Sequence, residues 1–169
     1  MTRTLSYLIA PKESGNTIEA FLRARGYSRH ILSCLKQRED GILVQGEHAF
    51  TNYKLREGEL LTIHLAEEAM SENITPVFLP LDIVYEDEDL LILNKAADMP
   101  IHPSMKNYEN SLANGLAWYF ASQNIPFVFR CINRLDKDNT GITILAKNSL
   151  SGGILGRQMN ERKIHRTYL

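Results

Sequence analysis

A polar stretch that contains two prolines divides the chain and limits what it can fold into. Residues 67–80 are mostly polar at first and contain Pro76 and Pro80. A long helix or a central strand cannot run through this stretch, because proline lacks the backbone N–H that both structures need. The 169 residues leave room for two small folded segments. We therefore predict a first domain at 1–66, a linker at 67–80 and a second domain at 81–169.

Charge is distributed unevenly along the chain. The net charge is −1 overall, but it is +2 in residues 1–66, −8 in residues 67–100 and +5 in residues 101–169. Binding to nucleic acid depends on local basic patches rather than on the charge of the whole chain. The neutral total therefore does not exclude an RNA partner, although ordinary solvated surfaces would give the same pattern.

The sequence lacks the markers of a membrane or secreted protein. No apolar run approaches the roughly 20 residues that cross a bilayer, and the apolar run near Met1 is too short for a secretory signal. Cys34 and Cys131 lie far apart and form no C-x-x-C motif, so neither a disulfide framework nor a thiolate zinc site is indicated. We expect a cytoplasmic protein that has buried free thiols and no membrane partner.

Capping and turn residues in the first segment predict a small α+β unit. Thr17 and Ser28 can each cap a short helix, and Gly26 and Gly41 follow the two helices as stop signals. The β-rich runs that come next predict short strands at 42–44, 48–50 and 60–65. Five basic side chains on the helices could contact phosphates without reading bases: Arg23, Arg25, Arg29, Lys36 and Arg38. A plain solvent-facing helix surface is the alternative.

The order of these features resembles the S4 RNA-binding domain, which pairs two small helices with a hairpin. The residues that carry the resemblance are Ser28-Arg29 with Leu35, the glycine-flanked run Gly41–Gly46, and Leu55 followed by Gly58-Glu59. The resemblance implies that residues 1–66 bind RNA through the five basic side chains.

A cluster of polar and charged residues at 131–141 lies directly before the β-rich run 142–147. Turn-forming residues before a strand predict a rigid loop at a sheet edge. Four of them stand where positions 1, 3, 5 and 6 of a calcium-binding loop would stand, namely Asp136, Asp138, Thr140 and Gly141. Lys147 at the position of the bidentate glutamate argues against calcium. A turn in which Asp136 bonds to nearby backbone amides is a purely structural alternative.

The same cluster resembles the signature loop of the RluA-like pseudouridine synthases, H-R-L-D-x-x-[TS]-[ST]-G followed by a strand that ends in A-K. Three landmarks of that family occur in order. One is Arg134-Leu135-Asp136 with Thr140-Gly141 and Ala146-Lys147. Another runs from Tyr85-Glu86-Asp87 through Asn94-Lys95 to His102-Pro103. The third is Arg166-Thr167-Tyr168, which in the family opens a central strand. The resemblance implies an α+β fold in which a mixed, mainly antiparallel catalytic sheet with flanking helices follows the S4-like domain.

The resemblance also implies an activity, the isomerisation of uridine to pseudouridine in structured RNA, with large-subunit ribosomal RNA as the expected substrate. Such an enzyme needs no metal or organic cofactor, and we expect a monomer. Asp136 is the implied nucleophile, which attacks either C6 of the uracil or C1′ of the ribose. Arg134 would fill the space that the flipped base leaves, and Tyr168 would stack on the uracil. Lys137 and Asn133 are the implied RNA contacts of the loop.

The chain departs from the family pattern at two places. Asn133 replaces the usual histidine, and Ala96-Ala97-Asp98 replaces P-x-G. The family's catalytic domain continues well beyond the position of Tyr168, so we expect this chain to be an inactive amino-terminal fragment. The alternative function is a non-catalytic S4-type RNA-binding protein with a remnant second domain.

Overall fold

The structure is a computed structural model that describes residues 2–66, 74–105 and 108–168. Its contacts divide the chain into two units, Thr2–Ala66 and Glu67–Leu169. The fold class is α+β, as predicted, with helices and two antiparallel sheets. The parallel pairing that a mixed sheet would need does not occur among the described strands.

The first unit is a four-stranded antiparallel sheet with two short helices. Its elements are β1 (Thr2–Leu8), α1 (Ile18–Ala24), α2 (Arg29–Lys36), β2 (Ile42–Val44), β3 (Glu47–His48) and β4 (Leu60–Ala66). The strand order is β1-β4-β2-β3. Ile18, Leu22, Leu35, Leu61 and Ile63 are among its buried core residues.

Local capping explains the two helices of the first unit. The Thr17 hydroxyl accepts a hydrogen bond from the Ala20 amide at 3.2 Å, and the Ser28 hydroxyl accepts one from the Ile31 amide at 3.1 Å. Both predicted caps are therefore confirmed. The turn after α2 requires glycine, because a Cβ on Gly41 would lie 2.2 Å from the carbonyl oxygen of Leu35.

The strands of the first unit differ from the prediction at two places. The strand predicted at 48–50 is the two-residue β3, Glu47–His48. Strand β1 was not predicted, and it pairs along its whole length with β4, from Thr2 opposite Ala66 to Leu8 opposite Leu60. A partner so distant in sequence, rather than local propensity, determines this strand.

The second unit has a three-stranded antiparallel sheet and two helices. Its elements are β5 (Ile83–Glu86), β6 (Leu90–Lys95), α3 (Leu112–Ala121), β7 (Gly141–Ala146) and α4 (Ser149–Asn160), and the strand order is β5-β6-β7. The predicted acidic hairpin turn is confirmed, because the Asp87 carboxylate accepts hydrogen bonds from the amides of Asp89 and Leu90 at 2.8 and 2.7 Å. The Tyr85 hydroxyl and these amides lower the pKa of Asp87.

The core of the second unit lies between one face of this sheet and α3. Its buried residues include Leu91, Leu93, Leu145, Leu116 and Phe120. An ion pair joins the ends of β5 and β7, because the Lys147 ammonium lies 2.7 Å from the Glu86 carboxylate. The Tyr119 hydroxyl of α3 donates to the same carboxylate at 2.6 Å, which fixes the hairpin to the helix.

Two segments for which the sequence made a prediction have no regular secondary structure. Residues 74–80 of the predicted linker pack on α3. The side-chain amide of Asn114 donates to the carbonyl of Thr75 at 2.8 Å, and the Val77 amide donates to the backbone carbonyl of Asn114 at 3.1 Å. Residues 67–73 of that linker lie outside the described part. Arg166–Tyr168, which the resemblance places at the start of a strand, is not in a strand here.

Candidate active site

The loop that carries Arg134 and Asp136 leaves the sheet beside β7. Just before it, residues 130–132 run antiparallel to β7, and the Ile132 amide donates to the carbonyl of Ile144 at 2.8 Å. The side chain of Asn133 then bonds to the same strand. Its amide donates to the carbonyl of Ile142 at 2.8 Å, and its oxygen accepts from the Ile144 amide at 2.8 Å.

Asn133 therefore has an internal function that the sequence did not predict. The residue is only 8% exposed, and both groups of its side-chain amide are bonded to β7. The Asn133 side chain therefore anchors the loop to β7. Asn133 also borders an open cleft, and its predicted RNA contact stays a prediction.

A buried lysine holds the other side of the loop. Lys95 at the end of β6 is 1% exposed, and its ammonium donates to the carbonyls of Ala96, Met99 and Lys137 at 2.8, 2.9 and 3.1 Å. The amide of Met99 donates to the same Lys137 carbonyl at 3.2 Å. Burial lowers the pKa of Lys95, whereas the charges of Asp138 and Asp136 raise it. The sequence indicated Lys95 only as a family landmark and not as an organising residue of the site.

Asp136 lies between these two anchors with an exposed side chain. Its backbone carbonyl accepts from the Asn139 amide at 3.2 Å and closes a turn. Within the described ranges, no hydrogen bond joins its carboxylate to a backbone amide, so the alternative of a purely structural aspartate turn is not supported.

Asp136 borders an open cleft of about 530 Å³ that is lined by two segments, Pro100–Ser104 and Arg134–Lys137. His102 in the first segment contacts the Phe129 ring edge to face, with 4.6 Å between ring centres. Burial, followed by the nearby Arg134 charge, lowers the pKa of His102. The imidazole therefore stays neutral to lower pH than an ordinary histidine does.

The turn at Ala96–Asp98 lacks the proline and glycine of the family pattern. Asp98 stands at the glycine position and adopts a left-handed backbone with φ of 58°, which aspartate tolerates better than most residues. Its carboxylate lies 2.6 Å from the Lys137 ammonium, and this pair raises the pKa of Lys137. Lys137 is thus exposed but already paired within the unit.

Tyr168 lies elsewhere in the second unit. It is 63% exposed and borders a different cleft, of about 850 Å³, with the segments Asp138–Ile142 and Ile164–Thr167. Asp136 and Arg134 do not line that cleft. The stacking role that the resemblance implies for Tyr168 therefore stays a prediction.

The basic side chains of the first unit are mostly engaged with their own unit. Arg25 pairs with Glu13, and its guanidinium lies 3.5 Å from the centre of the Phe21 ring. Arg38 donates two hydrogen bonds to the Asp40 carboxylate, at 3.0 and 2.9 Å. The charge and the planar face of Arg25 are thus both used within the unit, and its predicted phosphate contact stays a prediction.

The other three predicted phosphate contacts are exposed. Arg23 donates to the carbonyl of Tyr27 at 3.2 Å, and Lys36 lies 3.7 Å from the Glu19 carboxylate in an exposed ion pair. Such a pair is weak and can be exchanged for a phosphate. Arg29, at the start of α2, has its side chain in solvent. RNA binding by these residues stays a prediction.

None of the helices in the described ranges is both long and apolar enough to cross a membrane. No group of three or more His, Cys, Asp or Glu side chains there could hold a metal ion.

A family model and similar curated proteins point to the same family. Residues 89–169 match the model of a family described as RNA pseudouridylate synthase. YjbO of Bacillus subtilis, named an uncharacterized RNA pseudouridine synthase, is 31% identical over 152 residues, which are 90% of this chain and 54% of that protein. Ribosomal large subunit pseudouridine synthase D of Buchnera aphidicola is 35% identical over 145 residues, 85% of this chain and 46% of that protein.

The chain spans about half the length of the curated relatives that it matches. A solved structure titled human RNA pseudouridylate synthase domain containing 1 superposes on 49% of this chain and 29% of its own, with 29% identity and a TM-score of 0.40. The resemblance that rested on three sequence landmarks is confirmed by the family match. The S4 resemblance of residues 1–66 stays a prediction.

Proposed function

Because this chain belongs, through residues 89–169, to the RNA pseudouridylate synthase family, we propose that the protein converts uridine to pseudouridine in RNA. The observation that carries the proposal is the position of Asp136. Its exposed carboxylate borders an open cleft, on a loop that is held at one side by Asn133 and at the other by Lys95. A reactive group on a surface loop that a rigid scaffold positions is typical of a catalytic site.

The reaction requires a nucleophile but no redox partner. The bond from C1′ of the ribose to N1 of uracil breaks, and a bond from C1′ to C5 forms. The proton of C5 leaves, and N1 gains one, so substrate and product have the same atoms. The Asp136 carboxylate would form a covalent intermediate with the RNA, by attack on C6 of the uracil or on C1′ of the ribose.

The target base must leave its stack before the carboxylate can reach it. Arg134 is exposed and lines the same cleft as Asp136, which suits a side chain that fills the vacated position. Lys137, the exposed Arg23, Arg29 and Lys36, and the half-buried Arg38 would contact phosphates. Tyr168 would stack on the uracil and take part in the later proton transfer.

The proposed substrate is large-subunit ribosomal RNA, and the proposed enzyme is a cytoplasmic monomer. Two kinds of support exist for the substrate: the names of relatives such as the Buchnera protein, and the exposed basic residues of both units. The alternative, a non-catalytic RNA-binding protein, gains no support from the described residues, because the internal bonds of Arg25 and Arg38 reduce the basic surface of the first unit.

Mapping of pseudouridine tests the proposal. Ribosomal RNA from cells with and without the gene should differ at one or more positions of the large subunit, and a plasmid copy should restore them. The purified full-length protein should convert the same uridines in unmodified transcripts. An unchanged map, together with a protein that binds this RNA but makes no pseudouridine, would favour the binding protein instead.

A further inference from the structure

The side chain of Asn133 continues the pairing of β7 where the main chain leaves it. Residues 130–132 pair with β7 through main-chain bonds, from the Ala146 amide to the Arg130 carbonyl at 2.9 Å and from the Ile132 amide to the Ile144 carbonyl at 2.8 Å. At the next residue, Asn133, the side chain replaces the main chain as the hydrogen-bond partner of β7. The Asn133 side chain supplies the donor for the Ile142 carbonyl and the acceptor for the Ile144 amide.

The backbone of Asn133 is held as well. The Cys131 thiol donates to the carbonyl of Asn133 at 2.8 Å. Burial raises the pKa of Cys131 to about 11, so the thiol keeps the proton that it donates. Asn133 is thus fixed at its carbonyl and at both groups of its side chain, immediately before Arg134.

We propose that Asn133 is a positioning residue for the reaction, whose side chain ends the strand pairing and sets where Arg134 and Asp136 leave the sheet. The catalytic consequence rests on the proposed function, but the anchoring of the loop does not. Since the side-chain amide replaces one unit of main chain, the loop turns away from the sheet while the Ile142 carbonyl and the Ile144 amide of β7 keep their hydrogen-bond partners.

Few side chains can make both bonds. The position needs one donor and one acceptor in a fixed plane, which an amide presents. Leucine has a similar volume but makes neither bond. Aspartate keeps the acceptor for Ile144 but, when ionised, has no donor for Ile142, and it regains that donor when it is protonated.

The test compares three variants of the full-length protein. Asn133→Leu removes both bonds, and Asn133→Asp makes one of them depend on pH. Asn148→Leu is the matched control at the other end of β7, because Asn148 is also a buried amide that makes two side-chain bonds, to the Ser151 amide at 2.9 Å and to Asp89 at 2.7 Å. Amide hydrogen exchange, kcat and RNA affinity are measured for each variant.

Amide exchange tests the anchor without reference to activity. Asn133→Leu should speed exchange in residues 134–140 and leave α3 unchanged, whereas Asn148→Leu should speed exchange at the start of α4. Unchanged exchange in 134–140 would overturn the proposal. If wild type has no pseudouridine synthase activity, the proposed function fails, and the exchange result still decides on the anchor.

Activity tests the positioning role. Asn133→Leu should lower kcat by roughly ten- to a hundredfold with RNA affinity unchanged, because a small displacement of a reacting group has effects of this size. Asn148→Leu should leave kcat unchanged at a temperature at which it is folded. Equal kcat in wild type and Asn133→Leu would overturn the positioning role while leaving the proposed function intact.

Asn133→Asp keeps the test decisive if Asn133→Leu does not fold. The ratio of variant to wild-type activity should rise as the pH is lowered, because protonation restores the donor to Ile142. The other titratable or charged groups near Asn133 are the Cys131 thiol, then Arg134, Asp136 and Lys137 in the loop, and Asp138, His165 and Arg166 around the adjacent cleft. The ratio removes titrations that both proteins share. A ratio that does not change with pH would contradict the proposal.

Discussion

Arg25 in the first unit and Lys95 in the second unit use their positive charges in different ways. In the first unit, Arg25 lies against the Phe21 ring and pairs with Glu13, so its charge stabilises the fold. In the second unit, the Lys95 ammonium bonds only to carbonyl oxygens, and the Asp136 carboxylate is left exposed at the cleft. The comparison shows two uses of a buried or half-buried positive charge. The bonds from Lys95 to backbone carbonyls hold the loop of Asp136 in place, and they leave the Asp136 carboxylate without an ion-pair partner from Lys95.

The largest expected effect is the loss of the buried ammonium. Lys95→Met would leave the carbonyls of Ala96, Met99 and Lys137 with fewer donors, and we expect the second unit to lose about 3 kcal/mol or more of unfolding free energy. Urea unfolding, read by amide exchange in β6 and β7, measures this loss. Lys12→Met, at an exposed lysine, is the control and should change stability by less than about 0.5 kcal/mol. An equal loss of stability in Lys95→Met and Lys12→Met would contradict the role of Lys95 in holding the loop.

Arg25→Ala should give the next largest effect. The variant loses the contact with the Phe21 ring and leaves Glu13 without its ion pair, which we expect to lower the stability of the first unit by about 1–2 kcal/mol. Arg29→Ala is the matched control, since its side chain is exposed. The same urea experiment, read in α1 and β4, measures both variants. An unchanged stability of Arg25→Ala would contradict its structural role.

Arg29→Ala should instead weaken RNA binding. One lost phosphate contact should reduce affinity by a few-fold and lower the slope of log affinity against log salt by about 0.7–0.9. Filter binding at several salt concentrations gives this slope. Arg25→Ala should leave the slope unchanged, so equal slopes for the two variants would contradict the division between structural and binding arginines.

The smallest effect is expected in acid. The backbone amide of Ala10 and then Arg25 lower the pKa of Glu13. A carboxyl whose folded-state pKa is lowered stabilises the fold at pH values above its ordinary pKa, which is about 4.3 for glutamate. This stability is lost as the pH falls through the lower folded-state pKa. Between about pH 6 and pH 3, the melting temperature of Glu13→Gln should fall by less than that of wild type. Equal falls in the two proteins would contradict the lowered pKa of Glu13.

Local signals in the sequence predicted the parts of the fold that local bonds determine. The caps at Thr17 and Ser28 and the acidic hairpin at Asp87 each close within a few residues, and the structure confirms them. Helices α3 and α4 were not predicted, because glycines and Asn114 lie within them. Tertiary bonds override these propensities, as where Asn148 caps α4 and also bonds to Asp89.

The same distinction applies to the candidate site. The loop at Asp136 was found from residue types and spacing, whereas its two anchors were not. Lys95 reaches the carbonyl of Lys137 from 42 residues away, and Asn133 reaches β7 from nine and eleven. Contacts at such separations depend on the folded sheet, and no local pattern in the sequence reports them.

The nucleophilic role of Asp136 is tested most directly by comparing Asp136→Asn with wild type in the full-length protein. The account predicts that pseudouridine formation falls by about a thousandfold or more, because the amide cannot act as the nucleophile, and that RNA affinity stays within about threefold. Glu88→Gln, which removes one carboxylate from the β5–β6 turn, is the control and should behave as wild type. Activity of Asp136→Asn within about tenfold of wild type would contradict the assignment.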